Sequence, residues 1–229
     1  MRRLVVVSDI HSNLEALHAV LEAAGEGDIY CLGDIVGYGA NPNEVLELLK
    51  DRGVKAVMGN HDDAVVTGET GWFNARAAMA VLWTRKNMTE ENRRYLQSLP
   101  LDIREEVEGV RMYMTHGSPD DRLREYVDMR THADLLPHYL SKTGCSLIAL
   151  GHTHVPYGWE GEGGLVFNPG SVGQPRDGDP RAAFAVVSVD GGRSSLDLKR
   201  VGYDVETAAR KIVEAGLPSQ LADRLSVGL

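Results

Sequence analysis

Short apolar runs alternate with amphipathic stretches from the start of the chain. Residues 4–8 are β-branched and bounded by polar positions, which reads as a buried strand. Ser12 or Asn13 caps a helix with Leu14, Leu17, Val20 and Leu21 on one side, closed by Gly25. Asp28–Leu32 is a second strand. Asn41-Pro42 opens a second helix with the fixed φ of proline at its first position; Val45, Leu48 and Leu49 face inward and Gly53 ends it. Val54–Met58 returns as a strand. This β-α-β-α-β order, with right-handed crossovers, predicts a largely parallel sheet with helices on its faces.

The middle of the chain is less regular. Asn74–Lys86 and Thr89–Ser98 predict helices, the second capped by Thr89, and Thr131–Lys142 predicts another. Leu101–Val107 and Val110–Thr115 form a hairpin-like pair across Glu108-Gly109. Beyond Gly151 come short strands with glycine turns: Val155–Trp159, Leu165–Phe167, Ala182–Val189 and Ser195–Val201. Asp204 opens a terminal helix with Val205, Ala208, Ile212 and Val213 inward and Gly216 at its end. The helix-rich and strand-rich halves, with no repeat or linker between them, predict one α/β domain over residues 1–229, built on two packed sheets.

Polar motifs stand where the apolar runs stop. They are Asp9-Ile10-His11, Gly33-Asp34, Gly59-Asn60-His61-Asp62, Thr115-His116-Gly117 and Gly151-His152-Thr153-His154. Strands of an open α/β sheet aim their carboxyl ends at a common crevice, so these motifs converge there. Two carboxylates, an amide and four imidazoles suffice for two adjacent divalent cations. A nitrogen and oxygen set without thiolate suits Mn²⁺, Fe²⁺, Co²⁺, Ni²⁺ or Zn²⁺ better than Ca²⁺ or Mg²⁺. His18, His132 and His138 lie outside the motifs and read as surface or helix-face residues.

Composition narrows the partners. Apolar and charged fractions of 43% and 25% are those of an ordinary globule. A formal charge of −9 disfavours a long nucleic acid, while two bound cations leave a small anionic substrate acceptable. Cys31 and Cys145 lie in apolar runs and read as small buried hydrophobes. The first apolar run stops at Ser8-Asp9, too short for a signal peptide, and no run approaches a membrane span, so the expectation is a cytoplasmic protein away from membranes. No pattern specifies an oligomeric state.

In order and spacing the motifs resemble the calcineurin-like metallophosphoesterase superfamily, whose pattern is D-x-H, G-D, G-N-H-[D/E], H and G-H-x-H. Every ligand position between Asp9 and His154 is filled. The resemblance implies a four-layer α-β-β-α sandwich of two mixed sheets flanked by helices. It implies Asp9, His11, bridging Asp34 and His154 on one cation, and Asp34, Asn60, His116 and His152 on the other. It makes His61 a general acid for the leaving oxygen instead of a ligand. The implied reaction is hydrolysis of a phosphate ester, diester or monoester, with metal-bridged hydroxide as nucleophile.

One departure is informative. The phosphoprotein-phosphatase branch reads G-D-x-x-D-R-G, whereas this chain has Gly33-Asp34-Ile35-Val36-Gly37-Tyr38-Gly39. Both the Asp and the Arg are absent, and the chain is more similar to the small bacterial and archaeal phosphodiesterase-like branch, as is Asn168-Pro169-Gly170-Ser171-Val172-Gly173. The partner that orients His61 is then Asp62 or a backbone carbonyl. Tyr38 and Arg176 are candidate substrate contacts by their motif-adjacent positions. Asn13 is another, although helix capping explains it equally well. Trp72 and Phe73 fit either packing or a cleft wall. A phosphoprotein or dinucleoside-polyphosphate phosphatase, and a metal-bearing interaction scaffold without significant catalysis, remain as alternatives; a leaving-group acid at His61 counts against the scaffold.

Overall fold

The computed structural model describes residues 1–229. Its first half runs β1 (Arg2–Val7), α1 (Leu14–Ala24), β2 (Asp28–Cys31), α2 (Pro42–Asp51) and β3 (Lys55–Ala56). Three helices follow: α3 (Asn60–Thr67), α4 (Ala75–Asn87) and α5 (Glu90–Ser98). Next come β4 (Asp102–Val107), β5 (Val110–Thr115), α6 (Met129–His132), α7 (Leu136–Thr143) and β6 (Leu147–Leu150). The chain ends with β7 (Tyr157–Gly161), β8 (Gly164–Asn168), β9 (Ala182–Asp190), β10 (Arg193–Val201), α8 (Val205–Glu214) and α9 (Ser219–Asp223).

These strands form two five-stranded mixed sheets, in the orders β10-β9-β1-β2-β3 and β4-β5-β6-β8-β7. The first has its parallel strands at one side and an antiparallel hairpin at the other, and the second has a parallel centre between antiparallel edges. β1, β2 and β3 run parallel, and β9 pairs antiparallel with β1. β5, β6 and β8 run parallel, between the antiparallel edges β4 and β7. The N-terminal sheet is therefore less parallel than its βαβ rhythm predicts, because the late hairpin β9–β10 returns to pair with β1. The two halves of the sequence do not correspond to the two sheets.

Side-chain alternation builds the layers. Leu4, Val6 and Leu32 meet Met112, Met114 and Phe167 between the sheets, all buried. The alternate residues Val5, Val7 and Cys31 face Leu17, Val20, Leu46 and Leu49 of α1 and α2. On the far side, Tyr113, Ile148 and Val166 pack on Tyr139 and Leu140 of α7. Each fully buried aliphatic side chain contributes roughly 1.5–3 kcal/mol. The result is an α-β-β-α sandwich.

Local differences from the pattern have local causes. In α2 the buried residues are Val45, Leu46 and Leu49, with Leu48 at the margin. The helix expected over Thr131–Lys142 is broken into α6, a 3-10 turn at Ala133–Leu135, and α7. Pro137 sits in the first turn of α7, where a missing N–H is harmless; within a continuous helix it would be a break. In α8, Val213 is exposed, and the inward face is Ala208 and Ile212. Cys31 and Cys145 are buried free thiols, and no helix is long and apolar enough to cross a membrane.

Candidate metal centre

The motif loops hold an unusual backbone. Asp9, His11, Ser12, Asp34, Tyr38, His152 and His154 all have φ between 49° and 70°, and Glu108 is the one non-glycine elsewhere that shares this conformation. For residues other than glycine this costs of order 1–3 kcal/mol each, and it persists only where surrounding contacts over-determine it. Those contacts are visible. Asp9 N donates to Gly33 O and His11 N to Asp34 O, both at 3.0 Å, which laces the first two motif loops together. The Asn168–Gly173 segment ties in the rest: Ser171 Oγ donates to Asp9 O at 2.7 Å, and Asn168 Nδ2 donates to Gly151 O at 2.6 Å. Gly173 lies so close to the chain that a Cβ there would fall 1.8 Å from Ile10 O.

Each of the four histidines expected as ligands turns one ring nitrogen to a backbone carbonyl. His11 Nδ1 faces Val36 O at 3.2 Å, His116 Nδ1 faces Leu32 O at 2.8 Å, His154 Nδ1 faces Gln174 O at 2.5 Å, and His152 Nε2 faces Arg124 O at 3.2 Å. A carbonyl only accepts, so each of these nitrogens carries the proton and the other presents a lone pair. The lone-pair nitrogens then point at one another, with His11 Nε2 3.1 Å from His154 Nε2, and His116 Nε2 3.0 Å from His152 Nδ1. Carboxylates close the sets. Asp9 Oδ2 accepts from Ser8 Oγ and His152 N, while buried Oδ1 has no hydrogen-bond partner and lies 3.2 Å from His154 Nε2. Asn60 Oδ1 is 2.8 Å from His116 Nε2. Asp34 Oδ1 accepts from His61 N, which leaves Oδ2 between His116 Nε2 at 3.5 Å and His11 Nε2 at 3.7 Å.

Acceptors facing acceptors in a buried space call for a cation. Ligands bonded at about 2.1 Å to one divalent ion stand roughly 3–3.5 Å apart, which is the spacing found here. Asp9, His11 and His154 form one group able to hold a metal ion, and Asp34, His116 and His152 form another. The charges agree. Burial, then Asp9 and Asp62, push the Asp34 carboxyl well up, so its anion lacks compensation. Burial also holds down the imidazoles of His11 and His154, and with the nearby His116 it brings His152 to about 2. A cation takes the place of the proton in such a site.

His61 lies beside the cluster on the first turn of α3, with a ring nitrogen within 4.8 Å of ligand atoms of His11 and Asp34. Its ring is caged edge-on by Phe73 at 4.7 Å and His11 at 4.8 Å, and by Tyr38 at 4.5 Å. Buried Nδ1 has no hydrogen-bond partner. Asp62 does not orient it. That carboxylate accepts from Gly59 N, Ile35 N and Val36 N, binding the Asp34 loop to the start of α3. Gly37 is what lets the ring in, since a Cβ there would lie 2.6 Å from His61 Nδ1.

A cleft of about 340 Å³ opens over Asp34, His61 and His152. Tyr38 and Arg176 line it, as do Trp72 and Phe73, so the aromatic pair forms a wall. Asn13 does not line it: its Oδ1 caps α1 through Ala16 N and its Nδ2 donates to Gly173 O. Two further wall residues escape the motif reading. Tyr126 stacks on His152 at 3.8 Å, and Arg224 enters from a 3-10 turn after α9. Neither adjoins a motif, and no local pattern marks them. Arg122 pairs with Asp102, and Arg124 stacks on Trp72.

The chain belongs to the calcineurin-like phosphoesterase superfamily, whose domain model matches residues 2–192. An uncharacterised protein of Methanocaldococcus jannaschii is 41% identical to it, over 98% of each chain. A metallophosphoesterase from Sphaerobacter thermophilus, known from its crystal structure, is 37% identical with a TM-score of 0.84, covering 100% of this chain and 99% of its own. A hypothetical protein from Pyrococcus horikoshii OT3 shares the fold at a TM-score of 0.90 with 22% identity, over 100% of this chain and 99% of its own.

Proposed function

We propose that the chain is a metal-dependent phosphoesterase that hydrolyses a small phosphate ester at a dinuclear centre. The observation that carries the proposal is the convergence of lone-pair donors in two groups, with Asp34 Oδ2 lying 3.5 Å from His116 Nε2 in one and 3.7 Å from His11 Nε2 in the other. Asp9, His11 and His154 would hold one cation and Asn60, His116 and His152 the other, with Asp34 Oδ2 common to both. Bound there, divalent transition-metal ions neutralise phosphoryl charge and activate water, the chemistry a two-metal site supplies. Tyr38 and Arg176 orient the phosphoryl group from the cleft wall. His61, caged beside the cluster and lining the cleft, holds the proton for the leaving oxygen. Trp72, Phe73 and Tyr126 exclude water. A scaffold without catalysis leaves His61 and the arginines that line the cleft without a role.

The close approach of Gly37 to His61 also bears on substrate class. The side chain of an Asp at position 37, as in the phosphoprotein-phosphatase pattern, would collide with the His61 ring as placed here. We therefore expect bis-p-nitrophenyl phosphate to be hydrolysed faster than a phosphopeptide under the best metal. Rates for both, with p-nitrophenyl phosphate and Mn²⁺, Ni²⁺, Co²⁺, Zn²⁺ or Mg²⁺, test this. Faster turnover of the phosphopeptide reverses the ranking, and no turnover with any pair removes the hydrolase reading.

A further inference from the structure

We infer that Arg224 receives a second anionic group of the substrate, separate from the attacked phosphoryl group beside Arg176. The inference rests on the phosphoesterase reading and adds a substrate class: small phosphate esters that carry a second phosphate.

Both guanidinium groups lie over the Tyr38 ring, Arg176 at 5.9 Å and Arg224 at 6.0 Å from its centroid. Both line the same cleft, and no carboxylate side chain pairs with either, so an anion entering the cleft would meet two cations without a competing side-chain partner. Arg176 Nη2 donates to Gln174 Oε1 at 3.1 Å and its buried Nε has no partner. Arg224 Nε donates to an oxygen of Leu229, the last residue of the chain, and its two terminal nitrogens make no hydrogen bond. Burial, then Arg176, make the Arg224 cation harder to hold, and Arg76 adds to the effect. This cationic rim stands out on a chain whose formal charge is −9.

The two arginines reach the cleft from different places. Arg176 is tied to the cluster, its backbone N donating to His154 O at 3.4 Å, so it belongs with the phosphoryl group there. Arg224 approaches Tyr38 from the 3-10 turn after α9, and its guanidinium hydrogen-bonds only to Leu229. Its position is built and not incidental. Leu221 and Leu225, on either side of it, are 1% and 3% exposed and pack in one cluster with Tyr38, Ala77 and Ala80. Arg224 also lies beyond residue 192, where the superfamily domain match ends. A planar guanidinium fork suits a phosphate, and a charge-assisted contact of this kind is worth about tenfold or more in affinity.

The test is calorimetric binding of non-hydrolysable phosphonates to the full chain with Mn²⁺ present. Phenylphosphonate offers one anionic group, and the 1,3- and 1,4-phenylene bisphosphonates offer two. The wild type should bind one of the bisphosphonates at least about tenfold more tightly than phenylphosphonate. Arg224→Gln should collapse that ratio toward one, and Arg224→Lys, keeping charge without the fork, should retain part of it. A wild-type ratio near one, or a ratio that survives in Arg224→Gln, overturns the inference. If Arg224→Gln does not melt cooperatively, the lysine variant decides: a reduced ratio supports the inference and an unchanged one overturns it. Turnover of phenyl phosphate, measured alongside, separates the two readings. A ratio without turnover supports the second site while sinking the hydrolase, and turnover without a ratio sinks only the second site.

Discussion

Gly37 shows how one residue sets the chemistry of its neighbour. Its φ of +93° is unfavourable for a side chain, and its missing Cβ leaves the space that the His61 ring fills. Gly37→Ala should therefore displace the ring without removing a ligand. A shift of about 1 Å at a catalytic group can cost 10²-fold, so kcat on esters with poor leaving groups should fall by roughly that factor while metal content stays at the wild-type level. His61→Ala should lose about 10²–10⁴-fold on the same esters and much less on p-nitrophenyl phosphate, whose leaving group hardly needs a proton. Rates across a leaving-group series, with metal analysis, check both. A loss of equal size across the series argues against proton donation, and loss of a metal from His61→Ala makes that residue a ligand.

At the scale of elements, α3 is the piece that joins the loops. Its first turn supplies Asn60 and His61, and Asp62 reaches back to Gly59 N and across to Ile35 N and Val36 N. Removing that fully buried carboxylate strands several backbone donors at about 1–3 kcal/mol each before relaxation. Asp62→Ala should cost roughly 2–4 kcal/mol in urea unfolding, and Asp62→Asn, which keeps one acceptor, should cost less. A loss below about 1 kcal/mol for the alanine variant would deny Asp62 this bracing role. The same helix shows where sequence reading stops. The motif residues were legible because each follows an apolar run, and the central strands were legible from their β-branched composition. The helical start at Asn60 was hidden because its first turn is entirely polar motif, so no apolar period announces it. The pairing of β9 with β1 was equally hidden, since partner choice between distant strands leaves no local signature. Arg224 was out of reach for the same reason: its approach to Tyr38 is a tertiary event.

For the whole molecule, the donors come from both sheets. Asp9, His11, Asp34 and Asn60 follow strands of the N-terminal sheet, and His116, His152 and His154 follow β5 and β6 of the other. Cations bound among them would stitch the sandwich along one edge as well as equip it for chemistry. At a free metal concentration about a hundred times Kd, binding stabilises by about 2.7 kcal/mol. For a chain of this size that amounts to a rise in Tm of about 5–10 °C. Calorimetry with Mn²⁺ against EDTA should show this difference, and coincident melting curves would mean that the donors do not act as a joint clamp.

The bond from Ser171 to Asp9 spans 162 residues, and that from His152 to Asp9 spans 143. A growing polypeptide therefore carries Asp9, His11 and Asp34 through most of its synthesis with only their bonds to one another and to α3, and without the late contacts that complete them. Closing such long loops costs little more in entropy than closing moderately long ones, but contacts this distant in sequence form slowly. The full set of candidate donors is therefore complete only once the Asn168–Gly173 segment is in place, and the first half of the chain by itself lacks His116, His152 and His154.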